Sequence, residues 1–148
     1  MSAKHIAQQI IKCFNRGGKL LIFGNGGSAS MSQHWAAEFI NKFEHERDPL
    51  PAIALTTDTS ILTSISNDYS SDEIFTKQVW ALAKPEDIVI GISTSGKSVN
   101  VIYGLEAAKH HGIETIDLPR KGKTTAKVQE YQLKLMHDIT RIVEKEFI

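Results

Sequence analysis

Two rhythms of apolar positions alternate along the chain. From residue 3 to 15, Ile6, Ile10, Ile11 and Phe14 recur at helical spacing, and Gly17-Gly18 supplies the stop a helix end favours. Lys19 to Phe23 is a short apolar run that ends in Gly24-Asn25-Gly26-Gly27-Ser28, and helical spacing resumes from Ala29 through Trp35, Ala36, Phe39 and Ile40. This predicts strand, loop, helix. Pro49 and Pro51 interrupt, Ala52 to Leu55 predicts a buried strand, and two helices follow, one through Ile61 and Ile65, one through Ile74, Phe75, Val79 and Leu82. Ser70 and Glu73 have the spacing of a capping box for the second. Asp87 to Ile92 is the next apolar run, Ser93 to Ser98 a Ser/Gly-rich loop, and Val99 to His111 a helix closed by Gly112. Ile113 to Leu118 predicts a further strand. Thr124 to Phe147 carries Val128, Leu135, Ile139, Ile142 and Val143 without a breaker, the pattern of a long terminal helix.

Apolar strands alternating with helices imply an α/β domain, a parallel sheet flanked by helices on both faces. In such sheets a ligand sits beyond the carboxyl ends of the strands. Two of those ends run into Gly/Ser loops that open helices. With 148 residues and 41% apolar content, the chain suits one domain with one real core. Seventeen Lys and Arg balance seventeen Asp and Glu, so there is no broad basic field for a nucleic acid or an anionic membrane. No window approaches the ~18 consecutive apolar residues of a membrane span. The single Cys13 has no partner for an internal bridge, and the first residues lack a signal-peptide pattern, so a cytoplasmic location is expected.

Three phosphate chemistries compete at the two loops. Gly24 to Ala29 fits G-x-G-x-x-A, a weak dinucleotide fingerprint, but no acidic residue stands about 20 positions on at the end of the next strand. Gly91 to Ser98 satisfies G-x-x-x-x-G-K-S, the P-loop pattern, yet only 50 residues follow and Ile113 to Asp117 is a poor source of the magnesium-binding Asp. The third reading uses both loops together. The hydroxyls of Ser28, Ser93, Thr94, Ser95 and Ser98, with backbone N–H groups at helix N-termini, can enclose one phosphate monoester. Helix capping and turn filling explain any one of these residues, though less readily all five.

Phe23-Gly-Asn-Gly-Gly-Ser-Ala29, Pro51-Ala-Ile-Ala-Leu-Thr-Thr-Asp58, Ser66-Asn-Asp-Tyr69, Gly91-Ile-Ser-Thr-Ser-Gly96 with Ser98, and Val128-Gln-Glu130 together resemble the phosphoheptose isomerases of the sugar isomerase (SIS) domain superfamily. The resemblance runs in order over nearly the whole chain. It implies a single SIS domain over 1–148, loops that hold a sugar phosphate, and a homotetramer with active sites at subunit interfaces. It further implies that sedoheptulose 7-phosphate is interconverted with an aldose heptose 7-phosphate, D-glycero-D-manno-heptose 7-phosphate, for the heptose of lipopolysaccharide.

The positions that resemblance associates with metal and catalysis are His34, Glu38, Gln129 and His137. His34 and Glu38 are four apart on one helix face, and Gln129 and His137 are eight apart on the terminal helix. Two imidazoles, a carboxylate and an amide oxygen suit a tetrahedral Zn(2+) site, one per subunit. Spacing alone is better explained by packed or solvated histidines and a surface His–Glu pair. Moving a proton between C1 and C2 through an enediol needs a base, an acid and an oxyanion stabiliser. The expected roles are Glu38 as base, His137 as acid and zinc as electrophile. Asn25, Gly26, Gly27, Asp68 and Gln129 join the Ser/Thr set as candidate substrate contacts; Asn25 is also explained as a turn residue and Asp68 as a helix cap.

Departures from the family pattern are local. The region before Phe23 is short, and between Gly112 and Thr124 one strand and loop are missing before the terminal helix. Lys97 stands where Asn is common, Lys42 where Arg is, and Gln132 where His is. The rival function is a noncatalytic SIS protein of the kind that binds a replication initiator. Such proteins keep the phosphate loops and tend to lose the catalytic residues, whereas His34, Glu38 and His137 are all present here.

Overall fold

The computed structural model describes residues 1–148. In chain order the elements are α1 (Ala3–Asn15), β1 (Leu20–Gly24), α2 (Gly27–Ile40), β2 (Ala52–Ala54), α3 (Thr59–Asp68), a 3-10 turn (Ser71–Glu73), α4 (Thr76–Leu82), β3 (Ile88–Ile92), α5 (Val99–His110), β4 (Glu114–Asp117) and α6 (Thr125–Lys145). The four strands pair in parallel in the order β2-β1-β3-β4.

Because side chains alternate along a strand, β1 feeds two cores. Leu20 and Ile22 point to the side covered by α1, α2 and α6, where Ile6, Ile10, Trp35, Phe39, Met136 and Ile139 are buried. Leu21 and Phe23 point to the other, where Phe75, Val79, Val101 and Leu105 of the α4–α5 side are buried. Burying one such Leu, Ile or Phe contributes roughly 1.5–3 kcal/mol, so removing either helical layer would expose the sheet to water. The α/β architecture with helices on both faces is thus as the alternation predicted.

Local chemistry fixes where the strands begin. Asp87, 1% exposed, accepts from the backbone N–H of Lys19 at 2.9 Å and Lys84 at 2.7 Å, and pairs with Lys19 Nζ at 2.7 Å. This ties the starts of the adjacent strands β1 and β3. Gly18 is required there by space, since a Cβ would lie 2.1 Å from the Glu86 carbonyl oxygen.

Two boundaries differ from the sequence pattern, and one expectation of a missing strand is met. Ser70 caps the 3-10 turn by accepting from Asp72 N at 3.1 Å, so no capping box opens α4, which starts at Thr76 with Phe75 drawn into the core. Helix α2 begins at Gly27, two residues before the first apolar-periodic position. After β4 the chain passes through residues 118–124 directly into α6, so β4 is the sheet edge and no fifth strand compensates for the short segment.

Candidate active site

The two Gly/Ser loops are neighbours because their strands are. Gly24 is in register with Ile92 at the carboxyl ends of β1 and β3. A Cβ on Gly24 would lie 2.5 Å from the Ile92 carbonyl oxygen and 2.7 Å from Ser28 Cβ, so only glycine permits this approach. Gly26 occupies the α2 N-cap at φ +56, and Gly27 opens the helix, whose N-terminus turns N–H groups and a partial positive charge toward the loop. Ser28 is buried beneath it. Asn25 exchanges two amide hydrogen bonds with Asn100, at 2.7 and 2.9 Å, and Asn100 also donates to Ser71 O. Asn25 therefore clasps the first loop to the start of α5, and its amide keeps one N–H and one lone pair for a further partner.

In the second loop, Ser93 Oγ accepts from Gly96 N at 3.0 Å and lies 3.4 Å from both Ser95 Oγ and Ser98 Oγ. Ser95 Oγ accepts from Lys97 N, Ser98 stands at the α5 N-cap with no side-chain cap bond, and Thr94 is half-buried beside them. The three serine hydroxyls thus converge on one point. Behind them the Ser93 carbonyl receives Arg120 Nε at 3.0 Å and Gln132 Nε2 at 3.2 Å. Arg120 also pairs with Asp117.

The second cluster lies on the face shared by α2 and α6. Glu38 Oε1 is 2.8 Å from His34 Nε2 and 3.0 Å from His137 Nε2. Glu38 is 9% exposed, and its other oxygen, Oε2, is buried with no hydrogen-bond partner. The ligand atoms of the three residues all lie within 4.8 Å of one another, close enough to share one ion. The neighbouring Trp35 Nε1 donates to Thr140 Oγ1 at 2.8 Å, pinning the two helices beside the cluster.

Three of the four expected metal residues are gathered; Gln129 is not. It stands against Gly27, where a Cβ would lie 2.5 Å from Gln129 Nε2, two helical turns from His137. The i, i+8 spacing separates the two residues by about 12 Å along the axis. Asp68 is exposed at the last turn of α3, accepting from Asn67 Nδ2 at 3.0 Å, and bonds to neither loop. Lys42 is exposed and pairs with Glu46, whereas Gln132 is fully buried beneath Ser93. Cys13 is buried, and that burial pushes its thiol up to about 11, which leaves it inert.

Asn100 as a loop support, and Phe43, whose ring centroid is 5.1 Å from that of His137, carry no mark in the sequence pattern, whereas Arg120 stands in a basic run within reach of a phosphate and Gln132 at a noted departure from the family. The partners of Asn100 and Phe43 are distant in sequence, so no spacing rule marks them. The largest cleft, about 380 Å³ between α4 and α5 and lined by Lys77, Trp80 and Tyr103, holds neither the loops nor the His–Glu–His cluster.

The SIS domain family matches residues 2–119. A phosphoheptose isomerase of Roseiflexus sp. (strain RS-1) is 48% identical over 156 residues, covering 95% of this chain and 79% of that protein. The solved phosphoheptose isomerase of Neisseria gonorrhoeae superposes with a TM-score of 0.90 at 36% identity, over 97% of this chain and 85% of its own. That of Francisella tularensis gives 0.92 at 33% identity, with the same coverage. No helix here is long and apolar enough to cross a membrane.

Proposed function

This chain belongs to the SIS domain family, among the phosphoheptose isomerases, and from that premise we propose that it interconverts sedoheptulose 7-phosphate and D-glycero-D-manno-heptose 7-phosphate. The observation that carries the chemistry is one oxygen of the largely buried Glu38 carboxylate, Oε1, facing two imidazoles. A noncatalytic phosphosugar-binding protein has no need of that arrangement.

The phosphate is assigned to Gly26, Gly27 and Ser28 at the α2 N-terminus and to Ser93, Thr94, Ser95 and Ser98, with Arg120 as the nearest buried-side cation. Asn25, Asp68 and Gln129 are assigned to sugar hydroxyls. Glu38 takes the proton from C1 of the ketose while His137, acting from a ring nitrogen that no metal engages, donates one to the C2 oxygen, giving an enediol. Return of a proton to C2 and loss of the one on the C1 oxygen give the aldose. Base and acid of this kind each contribute about 10²–10⁴-fold.

Zn(2+) fits the cluster: two imidazole nitrogens and a carboxylate are its ordinary donors, and the buried, unpartnered Glu38 Oε2 is left for a cation. His34, Glu38 and His137 would hold it, and when bound it would polarise the carbonyl as a Lewis acid. Gln129 joins that set only if another subunit presents it. Glu38 lies eleven residues beyond Gly27, about 16 Å along α2, so the loops and the cluster of one chain stand well apart. A homotetramer with sites between subunits answers this separation, pairing the loops of one chain with the cluster of another. The assigned setting is cytoplasmic, early in lipopolysaccharide heptose synthesis.

Proton NMR of sedoheptulose 7-phosphate with the protein in deuterated water tests the reaction. Aldose signals, or deuterium at C1 or C2, are the expected result. Neither, with zinc supplied and binding established, would remove the isomerase reading.

A further inference from the structure

The most deeply buried ion pair lies behind the catalytic cluster and has no part in the chemistry above. Arg47 Nε is 3.2 Å from Glu144 Oε1, with side-chain exposures of 0% and 1%. Glu144 also accepts three consecutive backbone N–H groups, from Phe43 at 2.9 Å, Glu44 at 2.8 Å and His45 at 3.1 Å. The same guanidinium donates to the carbonyl oxygens of Glu38 at 2.6 Å and Phe39 at 2.8 Å, near the C-terminal end of α2. One ion pair therefore joins the helix that carries His34 and Glu38 to the helix that carries His137, and fixes the turn that follows α2. A buried pair is weak evidence for stability, since apolar side chains of like volume do as well. Its placement calls for another role.

At the head of that turn the Phe43 ring lies against the His137 imidazole, centroids 5.1 Å apart and planes at 37°. The Arg141 guanidinium also lies over the ring, 5.6 Å from its centroid. The ring torsion of a histidine is broad, and a single contact at Nε2 does not fix the imidazole plane. A wall against its face does.

We propose that Phe43, held by the Glu144–Arg47 pair, is a positioning residue for His137, keeping its Nε2 directed at Glu38. Its effect on turnover rests on the isomerase reading; the ring contact itself does not.

The test compares Phe43→Leu, Phe43→Tyr and Glu144→Gln with the parent protein. In metal-free protein, imidazole ¹H–¹⁵N correlation spectra report the Phe43 ring current directly. Phe43→Leu is expected to move the His137 ring signals more than those of His5, His110 and His111, and Phe43→Tyr to restore them. With sedoheptulose 7-phosphate, Phe43→Leu is expected to lower kcat about tenfold or more, the range of lost supporting contacts, while KM stays within twofold. Phe43→Tyr recovers kcat, and Glu144→Gln repeats the loss. Unmoved His137 signals in Phe43→Leu would overturn the proposal, as would an unchanged kcat or equal losses in kcat and KM. If Glu144→Gln does not fold, Phe43→Leu still decides, because Phe43 is only half-buried and the ion pair is left intact. A parent protein without turnover would defeat the isomerase reading, and the imidazole spectra would still judge the positioning.

Discussion

Thr140→Val tests whether α2 and α6 are registered by the buried hydrogen bond beside the cluster. Thr140 is fully buried, accepts from Trp35 Nε1 at 2.8 Å and donates to Met136 O at 2.7 Å. Valine keeps the shape and removes the hydroxyl. The bond to Met136 O is a local back-bond to a carbonyl that retains its helical N–H partner, so its loss is small. The indole N–H is different: Trp35 is fully buried and would have no acceptor. An orphaned buried donor costs about 1–3 kcal/mol. At this chain length 1 kcal/mol shifts the thermal midpoint by roughly 2–4 °C, so a fall of about 2–12 °C is expected. Trp35→Phe removes the donor, and in that background Thr140→Val should cost almost nothing. The cycle is measured by urea denaturation at one protein concentration with the slope unchanged, because an oligomer makes the midpoint concentration-dependent. Equal costs in the two backgrounds would refute the reasoning, since the penalty would then come from the cavity or the back-bond.

Three further outcomes are expected. Glu38→Gln should lower kcat by about 10²–10⁴ with the midpoint retained, and near-parent turnover would remove Glu38 as the base. Arg120→Met should raise KM and weaken protection by inorganic phosphate while kcat holds, because the guanidinium braces the Ser93 carbonyl and lies on the loop; an unchanged KM would assign the residue to folding alone. For Glu144, burial pushes the carboxyl up, but the three backbone N–H groups and Arg47 outweigh it and the net direction is below 4.5. A depressed carboxyl contributes stability above its unfolded value and loses it as pH falls through the folded one. Urea stability should therefore drop between pH 6 and acid below about 4.5 by more in the parent than in Glu144→Gln, and equal acid losses would contradict the assignment.

How far the sequence reached is plain from which contacts are local. The Gly/Ser loops were legible because their chemistry is short-range: glycines where strand ends approach, and serines where a helix must be opened. The P-loop match at Gly91 to Ser98 is outweighed by evidence outside the motif, the match of residues 2–119 to the SIS domain family. The start of α4 was misplaced because burial of Phe75, not the Ser70–Glu73 spacing, sets that boundary. His34 and Glu38 were readable as a pair, but their meeting with His137 spans 99 residues and depends on α2 and α6 covering the same sheet face. The Glu144 clasp, reaching back about 100 residues to the turn after α2, had no signal at all. These long-range links share one property. Each joins α2 to α6, so the cluster sits on two helices braced by a buried indole bond and a buried ion pair rather than on loops. That placement suits proton transfer, which requires Glu38 and His137 to hold their separation within a few tenths of an ångström, whereas the phosphate loops need only present N–H and hydroxyl groups to a charge. The division predicts unequal tolerance: variants along the α2–α6 seam should change kcat, and variants in the loops should change KM.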